Sequence, residues 1–373
     1  MMLDIFKYHR RFSFGRCVLV APLALSLANV ALARQTRFET RILVSDGSVP
    51  AGRVAPVMKN PWGLAANPTG LWWVANNDTG TATLVNNRGQ VSSRVINVHG
   101  AALGPRTARP TGVVFNTGSD FRVSNGLVTA PSRFIFASED GTISAFSPTL
   151  PTGTNRTFLA VNRSGSNAVF KGMTLARTGG GDRLFVTDFR NRRVDVFNDR
   201  FQLVNTAGDF RDPQIPTNFA PFGIATINNK VYVSYARRSS NGVDDIPGAG
   251  SGFVNVFGLN GVLERRLIRG GQLNSPWGMV VAPHDFGDFS GNLLIGNFGN
   301  GRINAFDLQS GRFRRAMRNE RGLIIQIDGI RGLAFGEGGS TGARNVLFFT
   351  AGPNGQRNGI FGNMSIENRG GAQ

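Results

Sequence analysis

The sequence predicts an all-β fold, a six-bladed β-propeller whose ring is closed by an N-terminal strand. Three observations lead to this prediction. A unit of several short apolar strands separated by Gly/Asn turns recurs six times, the units follow one another at a regular distance, and one strand near the N terminus belongs to no unit. Repeats of roughly 50 residues with several strands each are typical of propeller blades. A chain of 373 residues can form one such closed domain.

A glycine at the start of the first strand marks each repeat. Successive marker glycines are 49 to 60 residues apart, and they are Gly63, Gly112, Gly172, Gly223, Gly278 and Gly332. The inner strands of a propeller crowd around the central channel, where a side chain collides with its neighbours. The marker glycines therefore predict the innermost strand of each blade.

The other strands differ in their patterns. The second strand of each repeat is a continuous apolar run, as in 184–188, which predicts a strand buried on both faces. The third strand alternates, as Val194 and Val196 show, which predicts one more polar face. A fourth, outer strand follows, for example at 90–98.

The two ends of the chain are expected to close the ring, and two insertions are expected to lie outside it. Residues 37–44 alternate in polarity, and the sixth repeat has little chain left for an outer strand after Ile360. We therefore expect the N-terminal strand to supply that outer strand, because closure removes exposed sheet edges. Two polar, Gly-rich insertions, 118–130 and 237–252, are predicted to be surface loops.

The first 33 residues have the pattern of a signal peptide. Basic residues from Lys7 to Arg16 precede an apolar stretch, and Ala31-Leu32-Ala33 forms a small-x-small cleavage site. An uncleaved anchor is the alternative. We predict a signal peptide at 1–33, a single propeller domain at 34–373, and an exported protein, periplasmic or extracellular, that does not span the membrane after cleavage.

The composition narrows the function classes. The formal charge is +18, but the arginines are scattered, and the export signal argues against nucleic acid as a partner. Attraction to an anionic envelope polymer is one explanation of the charge, and an arginine-rich codon bias is the other. Cys17, the single cysteine, lies in the signal, which excludes disulfides and cysteine chemistry in the mature chain. His99 and His284 have no metal-ligand spacing.

Strand direction groups two sets of residues at one mouth of the ring. One set precedes the first strands: Trp62, Thr111, Lys171, Phe222, Trp277 and Arg331. The other follows the second strands: Asn76, Ser138, Asp188, Tyr235, Asn297 and Ala351. Loops held by a rigid scaffold at a channel mouth commonly carry ligand sites.

Three hypotheses follow for this mouth. The oxygens of Asn76, Asp188 and Asn297 could bind calcium, or each could accept local hydrogen bonds. No cofactor motif is otherwise evident. Three aromatic side chains are candidates to stack on a sugar, or else they pack between blades: Trp62, Phe222 and Trp277. Two cationic side chains are candidates to bind an anion, or else they remain solvated: Lys171 and Arg331.

The repeat resembles that of NHL-type propellers, above all in 183–188 followed by 193–197. Longer stretches, Asn60–Ala65, Phe286–Gly299 and Phe349–Asn354, resemble an uncharacterised family of exported bacterial propeller proteins, some of which carry PEP-CTERM sorting tails. The resemblance spans most of residues 37–365 and implies the fold and export, without an established activity.

Two functions are compatible with the sequence. The first is a non-enzymatic binding or scaffold protein, with an anionic polymer, a carbohydrate or another protein as its partner. The alternative is a metal-dependent, calcium-type hydrolase or lactonase with its site at the channel mouth. The shortage of carboxylates, with Asp188 alone in the matching ring of side chains, favours the binding protein.

Overall fold

The computed structural model describes residues 35–102, 108–150 and 155–367. Within these ranges the chain is all β apart from three single-turn 3-10 helices, at Ser164–Ser166, Gly287–Phe289 and Gly339–Thr341. Six sheets of four or five strands form the blades, so the predicted six-bladed β-propeller is confirmed. None of the helices in these ranges is long and apolar enough to cross a bilayer. The predicted signal peptide at 1–33 lies outside the described residues.

The strand bounds follow the repeats. The N-terminal segment and the first blade contain β1 (Phe38–Ser45), β2 (Arg53–Val54), β3 (Pro61–Ala66), β4 (Trp72–Asn76), β5 (Thr81–Val85) and β6 (Val91–Asn97). The second blade and its insertion contain β7 (Pro110–Phe115), β8 (Arg122–Ser124), β9 (Thr129–Pro131), β10 (Phe134–Ser138), β11 (Thr142–Phe146) and β12 (Phe158–Asn162). The third blade contains β13 (Phe170–Thr178), β14 (Gly181–Asp188), β15 (Arg193–Asn198) and β16 (Leu203–Val204).

The remaining blades repeat this order. The fourth contains β17 (Phe219–Ile227), β18 (Lys230–Arg237), β19 (Phe253–Phe257) and β20 (Leu263–Arg269). The fifth contains β21 (Pro276–Val281), β22 (Leu293–Asn297), β23 (Ile303–Phe306) and β24 (Phe313–Ala316). The sixth contains β25 (Ile330–Phe335), β26 (Leu347–Ala351) and β27 (Ile360–Ile366). Its outer strand is β1, which pairs antiparallel with β27 from Phe38 opposite Ile366 to Ser45 opposite Ile360.

The inner strands form a closed ring, in which each lies against the next and β25 lies against β3. The marker glycines make this approach possible. A Cβ atom on Gly223 would lie 2.0 Å from the carbonyl oxygen of Trp277, and one on Gly278 would lie 2.3 Å from that of Arg331. Both contacts are to the backbone of the following blade. The glycines are therefore required by the distance between neighbouring inner strands.

The hydrophobic core lies between the facing surfaces of adjacent blades. Between the first two blades, Trp73 stacks on Phe134 with ring centroids 4.0 Å apart. Between the fifth and sixth, Phe38 packs against Phe286 and Phe289 at 4.9 and 5.1 Å. Each blade is thus covered on both faces, which stabilises a sheet that would otherwise expose one apolar surface.

Two details go beyond the expectations from the sequence. The third strands have the predicted polar residues, but these are buried because both faces meet a neighbouring blade: Thr83, Ser144, Asp195, Asn255 and Asn304. Insertion 118–130 is not a plain loop, since β8 and β9 form a hairpin there. Phe121 anchors it, fully buried and 5.2 Å from Phe201.

Candidate ligand-binding mouth

A register shift in every blade presents one side chain to the same end of the ring. In the first blade Pro61 pairs with Asn76 and Leu64 pairs with Val74, so Trp62 and Gly63 lie opposite one residue. The other five blades shift at the equivalent place. Such bulges re-aim side chains. The residues before the marker glycines therefore belong to the inner strands themselves rather than to preceding loops.

Three predicted aromatic residues meet at this mouth. Trp62 contacts Phe222 edge-on, with ring centroids 6.2 Å apart, and contacts Trp277 in the same manner at 5.8 Å. Phe189 adds a fourth ring 5.3 Å from Phe222. All four are at most 8% exposed. We call these four rings, with Lys171, Phe298 and Arg331, the mouth cluster.

Arg331 is fully buried in the mouth cluster. Its guanidinium carbon lies 3.4 Å from the centre of the Trp62 ring and 3.9 Å from that of Phe298, so the planar group is held between two aromatic rings. Its Nη2 donates a hydrogen bond of 2.5 Å to Oε1 of Gln356. Burial lowers the pKa of Arg331 to about 9, although the charge of Asp245 opposes this shift.

Lys171 is also buried, at 2% exposure, and its ammonium lies 4.8 Å from the centre of the Trp62 ring. It donates a hydrogen bond to Glu139. Asn77 donates another to Glu139 at 3.0 Å, and Arg109 lies 3.4 Å from the same carboxylate oxygen. Burial raises the pKa of Glu139, but the charge of Lys171 and these hydrogen bonds outweigh it and lower the pKa below its ordinary value.

The two cations are therefore not solvated, contrary to the alternative that the sequence left open. Lys171 is paired with Glu139, Arg331 donates to Gln356, and Asp245 acts on Arg331 through its charge; sequence analysis did not assign these three polar side chains to the site. Of these three, Glu139 could have been assigned to the mouth from the sequence, because it directly follows the predicted mouth residue Ser138. Asp245 and Gln356 come from irregular loops with no repeating pattern.

The second set of predicted mouth residues is displaced by one position. Side chains alternate along a strand, and the structure brings the following residues toward the mouth cluster instead, namely Asn77, Glu139, Phe189 and Phe298. Tyr235 belongs to the core between the third and fourth blades. Ala236, the residue after it, packs with Trp62 and Phe222.

The three candidate metal ligands lie in three different blades, each fully buried. Asn76 donates to Thr83 at 2.7 Å, within its own blade. One oxygen of Asp188 accepts from the backbone N–H of Val169 at 3.1 Å. The side-chain oxygen of Asn297 accepts from the backbone N–H of Asn274 at 3.1 Å. The contacts of Asp188 and Asn297 engage oxygens that a cation would need. Among the described residues, no group of three His, Cys, Asp or Glu side chains is placed to hold a metal ion.

Two cavities flank the mouth cluster. A mouth pocket of about 440 Å³ is lined by residues that include Arg109, Glu139, Arg190 and Asp244. The central channel, about 230 Å³, is lined by the marker-glycine strands and has Trp277 in its wall. The mouth pocket is lined by charged side chains, whereas the channel is lined by glycines and uncharged side chains. The side chains that could bind a charged ligand are therefore at the predicted mouth.

Several buried polar atoms of this region have no hydrogen-bond partner among the described residues. They include four groups that can only donate, Nε and Nη1 of Arg331 and Nε1 of Trp62 and Trp277, and two acceptors, Oδ1 of Asn60 and Asn76. Asp245 and Ser275 are close enough to hydrogen-bond each other. Each unsatisfied buried group costs roughly 1–3 kcal/mol. The region therefore has an excess of donors.

The fold and the mouth together define a six-bladed β-propeller with a buried cationic and aromatic site at one end of its channel. The apo form of the soluble aldose sugar dehydrogenase from Escherichia coli is similar in fold, with a TM-score of 0.54 and 13% identity over 88% of this chain and 100% of that one. At this identity the likeness shows the fold alone. No protein-family model matches the chain.

The sequence has clear relatives. It is 34% identical over 334 residues to the uncharacterised protein R648 of Acanthamoeba polyphaga mimivirus, a match that covers 88% of this chain and 80% of R648. It is 34% identical over 307 residues to the uncharacterised protein L690 of the same virus, covering 80% of this chain and 78% of L690. The chain belongs to the family of these proteins. These relatives are viral, and they give no support to the bacterial origin and sorting tails that the resemblance implied.

Proposed function

We propose that this protein is a binding protein whose mouth holds an anionic, acceptor-rich ligand. The observation that supports this most directly is Arg331. It is a fully buried cation with two N–H groups that have no acceptor among the described residues. Charged groups are rarely buried without complete pairing, because desolvation is costly.

The neighbouring groups favour an anion over a neutral ligand. The indole N–H groups of Trp62 and Trp277 also lack acceptors among the described residues. A carboxylate, phosphate or sulfate group presents several acceptor oxygens and no donor, which matches this excess. Lys171 is already neutralised by Glu139, so Arg331 is the cation available for the ligand.

The size and the charged lining of the mouth pocket define the rest of the ligand. The mouth pocket of about 440 Å³ is within the range of small-molecule sites. Arg109 and Arg190 line it together with the carboxylates Glu139, Asp140 and Asp244, so an anion would bind on the side of the two arginines. The rings of the mouth cluster are not among the residues that line this pocket. The ligand is then either a small anion or the charged end of a larger anionic polymer.

A binding protein is favoured over a calcium-type hydrolase by the contacts of the predicted metal set. The oxygens of Asp188 and Asn297 accept hydrogen bonds from backbone N–H groups in their own blades. The other oxygen of Asp188 accepts from Asn191 and is ion-paired with Arg193, so a cation would have to compete with these contacts. We therefore place the activity in recognition, and we keep export to the periplasm or the cell exterior as part of the proposal.

Thermal unfolding in the presence of defined anions tests the proposal. The protein is heated in chloride, phosphate, sulfate, citrate or glucuronate at constant ionic strength. At least one anion should raise Tm, since a hundredfold excess over Kd adds about 2.7 kcal/mol. The increase should disappear in Arg331→Gln and persist in Arg312→Gln, where the arginine is exposed. A stabilisation that follows ionic strength alone, or that survives Arg331→Gln, would exclude this function.

A further inference from the structure

A second cavity lies outside the mouth, in a groove between the third and fourth blades. The groove has a volume of about 960 Å³ and runs along the edge of β15. Its other wall is formed by the connection 205–218 that leads from the third blade to the fourth. We call it the edge groove.

The edge groove exists because the outer strand of the third blade is too short. β16 has two residues and pairs with β15 only at Val196 and Phe197. In the fourth blade, by contrast, β20 pairs along the whole of β19, from Phe253 to Phe257. Among the described residues no strand pairs with the outer edge of β15 from Arg193 to Asp195. That part of the sheet has a free edge.

The backbone direction shows which groups the free edge presents. The N–H of Asn198 donates to the carbonyl of Gln202 at 2.9 Å, on the outer side of the strand. Backbone groups alternate sides along a β-strand. Val196 and Val194 therefore also present N–H and C=O outward, and Val194 lies beyond the end of β16. An edge of this kind is a template for pairing with another strand.

The groove walls fit a strand better than a compact ligand. Phe219 and Pro221 line the groove and give apolar contact for alternate side chains. Tyr235 lines it too, at 4% exposure, and the side chains of Asn255 and Asp212 lie near its hydroxyl.

The charges of the edge groove favour an acidic partner. Two of its carboxylates are already paired: Asp212 with Arg266 at 2.8 Å, and Asp195 with Arg193 at 2.7 Å. Arg192 and Arg211 are exposed in the groove lining, opposed by the exposed Asp209. The side chains left to meet a ligand are cationic on balance.

We propose that an extended, acidic peptide segment of a partner protein adds to the free edge of β15 and completes the outer strand of the third blade. Backbone hydrogen bonds at Val194 give the pairing, the apolar walls receive alternate side chains, and Arg192 and Arg211 select acidic residues. This site is independent of the mouth, so Arg331→Gln should bind such peptides unchanged.

The test is a selection from a random decapeptide library displayed on phage, with purified protein as the target. Enriched peptides are synthesised with a fluorescent label and titrated by anisotropy. We expect acidic sequences with apolar residues at alternate positions. Their Kd should rise at least tenfold in the double variant Arg192→Glu, Arg211→Glu. It should change less than twofold in Arg200→Glu, an exposed arginine at the other end of β15.

A second measurement examines the edge pairing without changing the protein. Single N-methylation should abolish binding at the peptide amide that pairs with Val194 and spare the amides on either side of it, which face away from β15. The variant Val194→Pro should also lose binding if it folds. The proposal is wrong if no peptide is enriched, if the charge reversal leaves Kd unchanged, or if N-methylation has the same effect at neighbouring amides.

Discussion

The hydroxyl of Thr350 donates a hydrogen bond to the backbone carbonyl of Trp62, 288 residues earlier in the chain. It also accepts a hydrogen bond of 2.9 Å from the N–H of the marker glycine Gly332. Thr187 and Ser234 make contacts of the same kind. Their hydroxyls donate to the carbonyls of Phe222 and Pro276, respectively, in the following blades. They also accept from the N–H groups of the marker glycines Gly172 and Gly223 in their own blades. In these three blades a single buried hydroxyl thus joins the inner strand to that of the next blade.

This relationship predicts that Thr350→Val is more destabilising than its size suggests. The substitution keeps the shape but leaves the carbonyl of Trp62 and the N–H of Gly332 without partners. The free energy of unfolding should fall by about 1–3 kcal/mol. Urea denaturation measures it, with Thr129→Val in the exposed hairpin as the control. A loss no larger than that of the control would show that the hydroxyl does not hold the sixth blade to the first.

Of the substitutions that replace a glycine by alanine, Gly223→Ala should be among the most destabilising. The added Cβ would lie 2.0 Å from the carbonyl oxygen of Trp277, which is backbone and cannot rotate away. We expect a loss of about 3 kcal/mol or more, because overpacking here must move two blades apart. Gly179→Ala is the control, since nothing lies within 4 Å of its Cβ position. Equal melting temperatures for the two variants would contradict the role assigned to the marker glycines.

The marker glycines also show why the blades could be predicted from the sequence. Each repeat carries its own glycine and its own apolar strand, so six imperfect copies reinforce one another. The position of the mouth could be predicted for the same reason. The direction in which individual side chains point could not be predicted. The bulge at Trp62 and Gly63 changes which side chains point inward, and an alternating pattern does not reveal a bulge.

The polar partners at the mouth could not be predicted from the sequence for a different reason. Asp245 and Gln356 lie in irregular loops that no repeat describes, and Asp245, from the fourth blade, approaches Arg331 of the sixth only when the ring has formed. The third strands were predicted to have one more polar face because apolar residues such as Val194 and Val196 alternate along them. Burial of the polar residues of these strands depends on partner side chains. Asp195 is paired with Arg193 and Arg163, and Asn255 donates a hydrogen bond to Asp212.

Asp46 should give the stability a specific acid dependence. Burial raises the pKa of Asp46, but hydrogen bonds from Ser48, Asn358 and Lys59 outweigh it and hold the pKa at about 2. A lowered carboxylate pKa stabilises the fold above the unfolded pKa, and that contribution is lost as the pH falls through the folded pKa. Asp46→Asn should therefore cost about 2 kcal/mol at pH 7.

The difference between wild type and Asp46→Asn should shrink as the pH falls from about 5 toward 2, where the wild-type carboxylate also becomes protonated. Urea denaturation at several pH values measures it. Asp209→Asn, at an exposed carboxylate, is the control and should change the free energy of unfolding by less than about 0.5 kcal/mol. A constant difference across this pH range would mean that Asp46 contributes through shape and not through its charge.

The pair of Lys171 and Glu139 should behave as one unit in a double-mutant cycle. Lys171→Met leaves Glu139 buried without its main cation, and breaking such a pair costs about 3–5 kcal/mol. Asn77 and Arg109 remain in contact with the carboxylate, which places the expected loss at the lower end of that range. Glu139→Gln leaves Lys171 against Trp62 and Phe189, whose rings still attract the ammonium. The combination Lys171→Met, Glu139→Gln removes both charges and should lose clearly less than the two single variants added together. Unfolding in urea at pH 7 gives the four free energies, and additive losses would show that the two buried charges are not coupled.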